Sequence, residues 1–439
     1  MNTERTVLRL SSRSAKRWVA SFRIFGFVLA FLIARAARAQ QALTWDQVKA
    51  KFEAANPALM ADALNVDEMK AEEITAFLRP NPQVGLTADG NQIAPKGGTW
   101  VPFKGTYFVP SVSYLHEREH KRELRLESAQ EGTRITQDMH EDLDINMIFD
   151  LRAAFVATLQ AKAVLKLAQA DLDYYDKIID ISRARFKAGD LAQIDLDRIE
   201  LQRVQYESEI ETAIVNLRTQ KILLLQLLDQ RMPLDQFDVD GPFDFSEDLK
   251  TEDEFRQIAL TNRPDLQAAL QTLEQSKTNH KLAVSNGSTD PTFSLWYTYN
   301  SSNNNPSATQ TLGGSVNIPL RIFDKNQGEK KRTLIDIDRS QDLTEATRAQ
   351  VFTDVDSAYE LVNSNIILLK PYKVKYLDQS VRVRDTVTFA YEHGGASLMD
   401  FLNAQSDYRQ VQLAYLQLIG TYLTAAGQLN LAVGSEVIR

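Results

Sequence analysis

The sequence predicts a mainly α-helical fold with a β-barrel part, built as a tandem repeat of long coiled-coil hairpins. Three observations carry this. First, helix-breaking residues are nearly absent from two long stretches. Between Pro110 and Pro233 there is no proline and the only glycines are Gly132 and Gly189, and between Pro319 and Arg439 the only proline is Pro371. Second, two short regions alternate apolar and polar residues with period two. Third, the same order of elements occurs twice. "RFKAGDLAQIDL" at 185–196 returns as "AYEHGGASLMDF" at 390–401, "ANPAL" at 55–59 as "NRPDL" at 262–266, and "RPNPQVGL" at 79–86 as "STDPTFSL" at 288–295.

In chain order, residues 1–39 read as a secretory signal peptide. Arg5, Arg9, Arg13, Lys16, Arg17 and Arg23 precede the apolar run "IFGFVLAFLIA" (24–34), and Ala37 and Ala39 form a cleavage site before Gln40. That run falls short of the roughly 20 apolar residues a helical span needs, and no membrane-length apolar helix follows residue 40. Removing the leader takes away eight basic residues and one acidic one, leaving a net charge of −15. So acidic a chain lacks the basic footprint of a nucleic-acid binder. With no cysteine there is no disulfide, thiolate metal site, cysteine nucleophile or lipidated N-terminal cysteine.

The first repeat (40–235) holds a helix at about 58–79 and strands at about 83–91 and 106–115. Long helices follow at about 119–188 and 192–229. Val84, Leu86 and Ala88 alternate with Gln83, Thr87 and Asp89, as strands do. Leu165, Ala168, Leu172, Tyr175, Ile179 and Phe186 make a 3.5-residue seam, the mark of coiled-coil packing. A second seam starts at Leu196, Ile199, Arg203 and Tyr206. A 70-residue helix is about 105 Å long, too long for a compact domain. The 38-residue helix that answers it needs the 58–79 helix stacked on its end to match that length.

A linker (236–250) leads to the second repeat (251–439). It holds a helix at about 264–285, strands at about 292–300 and 311–320, and long helices at about 327–393 and 397–434. Phe293, Leu295, Tyr297 and Tyr299 alternate with Ser294 and Thr298, and "SSNNNPSATQ" joins the two strands. Phe352, Val355, Tyr359, Val362, Ile366 and Leu369 form the seam of the first long helix, which Pro371 bends or loosens. In the last helix the seam runs Leu398, Phe401, Gln405, Tyr408, Gln412, Tyr415, Ile419, Tyr422, Ala426, Leu429, Val433.

Strands of this length suit a membrane barrel, but four cannot close one, and an open edge in lipid leaves backbone groups unsatisfied. Three chains would supply twelve. Nothing points to an enzyme, a cofactor or a resident metal. "HEREH" (116–120) lacks the H-E-x-x-H order, and no phosphate-cradling loop or nucleophile elbow occurs.

The layout, with "NRPDL", "VNIPLRIFDKNQGE" and the C-terminal stretch from "YEHGGASLMDFLNAQ" to "NLAVG", resembles the TolC-like outer-membrane efflux family over essentially the whole mature chain. The first repeat is more divergent, notably in "SYLHEREHKREL". The resemblance implies a homotrimer with a twelve-stranded barrel in outer-membrane lipid and a periplasmic helical tunnel. It also implies a periplasmic adaptor (membrane fusion protein) and an inner-membrane pump of RND or ABC type. "IPLRIFDKNQGE" is similar to the heavy-metal branch. Asp400 matches an acid that lines the closed entrance, its other reading being a helix N-terminal acid that satisfies the dipole and backbone N–H groups, and Asn403 stands where the family has a second. The turns at Gly189 and Gly394 would meet the adaptor through Leu191, Ile194, Leu398 and Met399. Trp100, Phe103, Trp296, Tyr297 and Tyr299 are expected at the membrane interfaces. The reading from another class is a periplasmic coiled-coil scaffold.

Overall fold

The computed structural model describes residues 42–95, 97–299 and 309–438. The predicted leader and most of the "SSNNNPSATQ" loop lie outside them. Helices α1 (Trp45–Ala55) and α2 (Pro57–Ala76) precede strands β1 (Gln83–Asp89) and β2 (Tyr107–Leu115). Helices α3 (Lys121–Ala188) and α4 (Gln193–Leu227) complete the first repeat. The second supplies α5 (Glu252–Asn262), α6 (Pro264–Asn286), β3 (Thr292–Tyr299), β4 (Gln310–Asn317), α7 (Gln327–Pro371), α8 (Leu377–Glu392) and α9 (Leu398–Val433).

Local chemistry sets the boundaries. Asn56 caps α2, its Oδ1 accepting from the N–H groups of Ala58 (2.9 Å) and Leu59 (3.1 Å), with Pro57 at the first helical position. The helix expected from 119 begins at Lys121 because Glu119 and His120 adopt positive φ at the turn out of β2. The strand expected at 311–320 ends at Asn317, opposite Thr292, the first residue of β3. Pro319 has no N–H with which to continue it. The helix expected at 327–393 is interrupted after Pro371 by a π turn, Tyr372–Tyr376.

The chain divides into two compact units that cut across the repeat. One comprises the described residues up to Phe52 together with 157–243. Its core stacks Tyr175 on Tyr206 at 4.5 Å, and the Tyr175 hydroxyl donates to the Ile199 carbonyl (3.1 Å). Part of the expected linker is packed here: Phe237 and Val239 are buried, and Val239 bridges Leu43 in parallel. Lys162 and Lys221 converge on Asp238 at 2.7 and 3.2 Å.

The other unit comprises 53–156 and 244–438 of the described residues. In it α7 packs on α5, α6 and α9, and α8 packs on α9. The α9 seam is buried at both ends, at Leu398, Phe401 and Gln405 and again at Ile419, Tyr422, Ala426, Leu429 and Val433, but its middle, Tyr408, Gln412 and Tyr415, is only half-buried. On α7 the predicted stripe Val355, Val362, Leu369 is buried, but its second row is Val351, Ala358 and Asn365 rather than Phe352, Tyr359 and Ile366. Both rows flank the stripe at heptad spacing, and small side chains let the helices approach closely.

Arg263 ties this unit together. It ends α5, precedes Pro264 at the start of α6, and reaches Asp265 (2.6 and 2.9 Å), Asp354 on α7 (2.7 Å) and the Ala432 carbonyl on α9 (3.4 Å). This is the structural content of "NRPDL".

Candidate functional site: the sheet wall and the helical turns

The four strands form one antiparallel sheet in the order β1-β2-β3-β4, so β1 and β4 are its edges. Pairing Val84 with Val112, Val112 with Leu295 and Leu295 with Gly314 fixes which residues share a face. Strand alternation puts Val84, Leu86, Phe108, Val112, Phe293, Leu295, Tyr297, Tyr299, Leu312 and Val316 on one side. On the other stand Thr87, Ser111, Ser113, Ser294, Thr298, Thr311 and Ser315. The apolar side is uncovered: Val84 is 86% exposed, Leu86 72% and Leu312 79%. A soluble sheet buries its apolar face and wets its polar one. Here the apolar face is the bare one.

The aromatic residues separate accordingly. Tyr297 and Tyr299 lie on the apolar face. Trp296 does not, because consecutive strand residues point oppositely; it lies over Gly313, where an added Cβ would sit 2.5 Å from the ring. The expected group of interface aromatics is therefore split between the two faces of the sheet, Trp296 on one and Tyr297 and Tyr299 on the other. Trp100 and Phe103 are exposed in the β1–β2 loop, with Trp100 Nε1 donating to the Gln92 carbonyl (3.1 Å).

The two helical turns repeat bond for bond. Gly189 N–H donates to the Phe186 carbonyl (3.0 Å) and Asp190 N–H to Arg185 (2.9 Å); Gly394 donates to Tyr391 (3.1 Å) and Gly395 to Ala390 (2.7 Å). Both glycines are left-handed, at φ +84° and +77°, the Schellman end that an L side chain disfavours. No atom lies within 4 Å of where a Gly189 Cβ would be, so the cost of Gly189→Ala is purely conformational. It is expected to destabilise the hairpin by about 1 kcal/mol, read as a lowered chemical-denaturation midpoint.

Beyond the glycines the turns diverge. Ser397 and Asp400 form a capping box: Asp400 N–H donates to Ser397 Oγ (3.2 Å), while Asp400 Oδ2 accepts from the Ser397 hydroxyl (2.6 Å) and N–H (3.1 Å). At the first turn Ala192 stands at the cap with no side-chain bond. The Ser397 hydroxyl and backbone bonds hold the Asp400 carboxyl below its usual range. A depressed folded-state value makes the box effective above the ordinary carboxylate range and lost as pH falls through that value. Ser397→Ala is therefore expected to lower the unfolding midpoint by roughly 2 °C at neutral pH, the gap closing in acid.

Asp400 and Asn403 are both exposed, three residues apart on one face of α9. Of the four contact candidates, Ile194 is 59% exposed and Met399 57%, and Leu191 is half-buried. Leu398 is only 8% exposed: it belongs to the seam of the hairpin, beside the stacked Tyr391–Phe401 pair (5.0 Å), and offers no contact surface. The legible signal was its place as the first residue of the apolar 3/4 series.

Residues 255–435 match the family described as "Outer membrane efflux protein". The cobalt-zinc-cadmium resistance protein CzcC of Cupriavidus metallidurans is 22% identical over 377 residues, covering 86% of this chain and 86% of that protein. Among solved structures, CusC, described in connection with transmembrane channel formation, matches with a TM-score of 0.71 at 18% identity, covering 89% of this chain and 92% of its own. The open state of the Neisseria gonorrhoeae MtrE outer membrane channel matches at 0.70 and 18% identity, covering 90% of each. At such identities the structural likeness establishes the fold, a mostly helical chain with a small antiparallel sheet.

Proposed function

We propose, for a chain that belongs with the TolC-like outer-membrane efflux proteins, that it is the passive exit duct of a tripartite efflux or secretion system. The observation that carries this is the sheet with a bare apolar face and two open edges. Lipid covers such a face, and a neighbour's strand is what an edge in lipid requires. Three copies pairing β4 to β1 make a closed twelve-stranded wall, apolar outside and lined by Ser, Thr, Asn and Trp296 inside. The leader at 1–39 delivers the chain across the inner membrane, and the long helices stand in the periplasm.

The turn at Gly394 faces the periplasmic entrance. Three Asp400 carboxylates there, ionised at neutral pH and held in place by Ser397, form a ring that favours cations. Asn403 adds polarity without charge. A mature chain of net charge −15 suits the same cargo, and metal ions are its favoured class, as the name of the relative CzcC suggests. Ile194 and Met399 remain exposed for a periplasmic adaptor, with half-buried Leu191 beside Ile194's turn, and the driving energy is supplied by an inner-membrane pump. Docking opens the entrance by moving α8 and α9. A coiled-coil scaffold has no use for a bare apolar sheet.

Single-channel recording of the mature protein in planar bilayers tests this reading. Wild type is expected to conduct with cation preference, and Asp400→Ala to conduct with that preference reduced about two- to threefold, one screened charge site per chain being removed. Unchanged selectivity in the variant removes Asp400 from the entrance. No conductance, with protein that stays soluble without detergent, removes the duct.

A further inference from the structure

The sequence passes between sheet and helices at residues 77–82, 116–120, 287–291 and 318–326, and at the first two of these a cleft of about 260 Å³ opens. Its basic lining is Arg79, His116, Lys121 and Arg122, with Tyr114 and the acids Glu117 and Glu123. The acids are occupied. Arg125 clasps Glu117 through two bonds of 2.6 and 2.9 Å, and Arg122 holds Glu123 at 2.8 Å. Lys121 is also committed, to Asp290 at 2.6 Å. Arg79 and His116 have no side-chain hydrogen bond or ion pair among the described residues, and Arg79 is exposed. One fixed cation, the Arg79 guanidinium, is thus presented without a partner among the described residues, in a mature chain whose net charge is −15.

The rim is apolar. Phe77 and Leu78 are exposed beside Arg79, and the Arg122 guanidinium lies 4.2 Å over the Phe77 ring. Tyr114 pairs with Phe293 across the strands and so belongs to the apolar face of the sheet. The cleft therefore borders the surface that lipid would cover, just where that surface ends. A ligand suited to both parts carries an anionic phosphate above and hydrocarbon below.

We infer that this cleft binds the phosphate headgroup of an anionic phospholipid in the periplasmic leaflet, an inference that rests on the membrane reading of the sheet. Arg79 supplies the bidentate contact that guanidinium makes with phosphate. Arg122 and the first N–H groups of α3 add positive potential. Phe77, Leu78 and Tyr114 meet the upper acyl chains. In a chain with no cysteine to acylate, the contact also fixes the depth at which the barrel sits.

The test uses the mature full-length protein purified in detergent, with phosphatidylglycerol or phosphatidylcholine added and retained lipid counted by native mass spectrometry. Wild type is expected to retain phosphatidylglycerol preferentially. Arg79→Ala should weaken that retention about tenfold, the loss of one charge-assisted contact, and Arg79→Lys should restore part of it. Equal retention of the two lipids, or an Arg79→Ala variant identical to wild type, overturns the assignment. Millimolar inorganic phosphate is expected to leave the lipid in place; displacement would give the cleft to a free phosphate anion instead. Flotation of the same samples with vesicles separates the two readings. Protein that embeds without lipid preference removes only the cleft, whereas protein that never embeds removes the duct.

Discussion

Leu295→Arg is expected to abolish recovery of the protein as a membrane-embedded oligomer, while Ser294→Arg, one residue away, is expected not to. Leu295 lies in a central strand, paired to Val112 on one side and Gly314 on the other, with its side chain on the bare apolar face. An arginine facing lipid near the bilayer midplane costs about 2–4 kcal/mol, and the proposed three-chain barrel would carry the penalty three times. The total is of the order of a whole protein's stability. Ser294 faces the opposite side, with Ser113 and Ser315 opposite it, where an arginine meets water in a channel. The measurement is the heat-sensitive oligomer on a gel of outer-membrane extracts. Equal loss in both variants would mean that the two faces are not differently solvated, and the membrane reading of the sheet would go with it.

Arg263→Ala is expected to destabilise the helical part by about 2–4 kcal/mol. The guanidinium is largely buried and serves Asp265, Asp354 and the end of α9 together. Its removal leaves two half-buried carboxylates facing one another's neighbourhood without a cation and frees the Ala432 carbonyl. Asp142 already has its carboxyl pushed up by burial and by the charge of Asp265, with Arg263 opposing that shift, so the loss extends to α3. Arg263→Lys keeps the charge but loses the fork, and should recover less than half. Denaturation followed by helical circular dichroism gives the numbers. Adding Asp354→Ala to Arg263→Ala should cost less than the two separate losses summed, because one interaction is being removed twice.

Much of this was legible because the signals are periodic. Strands β1–β4 announce themselves by alternation, and the long helices by the lack of proline and glycine. The turn glycines are marked by the repeat, and the α9 seam by its 3/4 spacing. The misreadings come from position within a pattern rather than from missing it. Trp296 was grouped by residue type, although the alternation that marks β3 already sets it with Ser294 and Thr298. Leu398 has two readings in the sequence, adaptor contact and hairpin staple, and its place at the start of the seam already favours the second. The choice of Ala358 and Asn365 over Tyr359 and Ile366 depends on how close the neighbouring helix comes, which spacing alone does not encode. Helix α5 carries a readable start in Thr251 and Glu254, which form a capping box, but eleven residues give too little periodicity to stand out. The burial of Phe237 and Phe245 in a segment rich in Asp and Pro is a tertiary fact. The pairings of Arg263 with Asp354 and Arg256 with Asp356 are tertiary in the same way, joining residues about a hundred positions apart.

The duplicated hairpins end in the same turn but stand on unlike shafts. Helix α3 runs 68 residues without a break, whereas its counterpart meets Pro371 and a five-residue π turn on the way to Gly394. A uniform rod spreads curvature along its length; one with a soft segment gathers it there. A twist applied at Gly189 is carried down α3 as a stiff strut carries load. The same twist at Gly394 would gather at residues 371–376, so the proposed opening would turn α8 while α7, anchored through Asp354 and Asp356, keeps still. One chain thus holds the same pattern twice, once on an unbroken shaft and once on a jointed one.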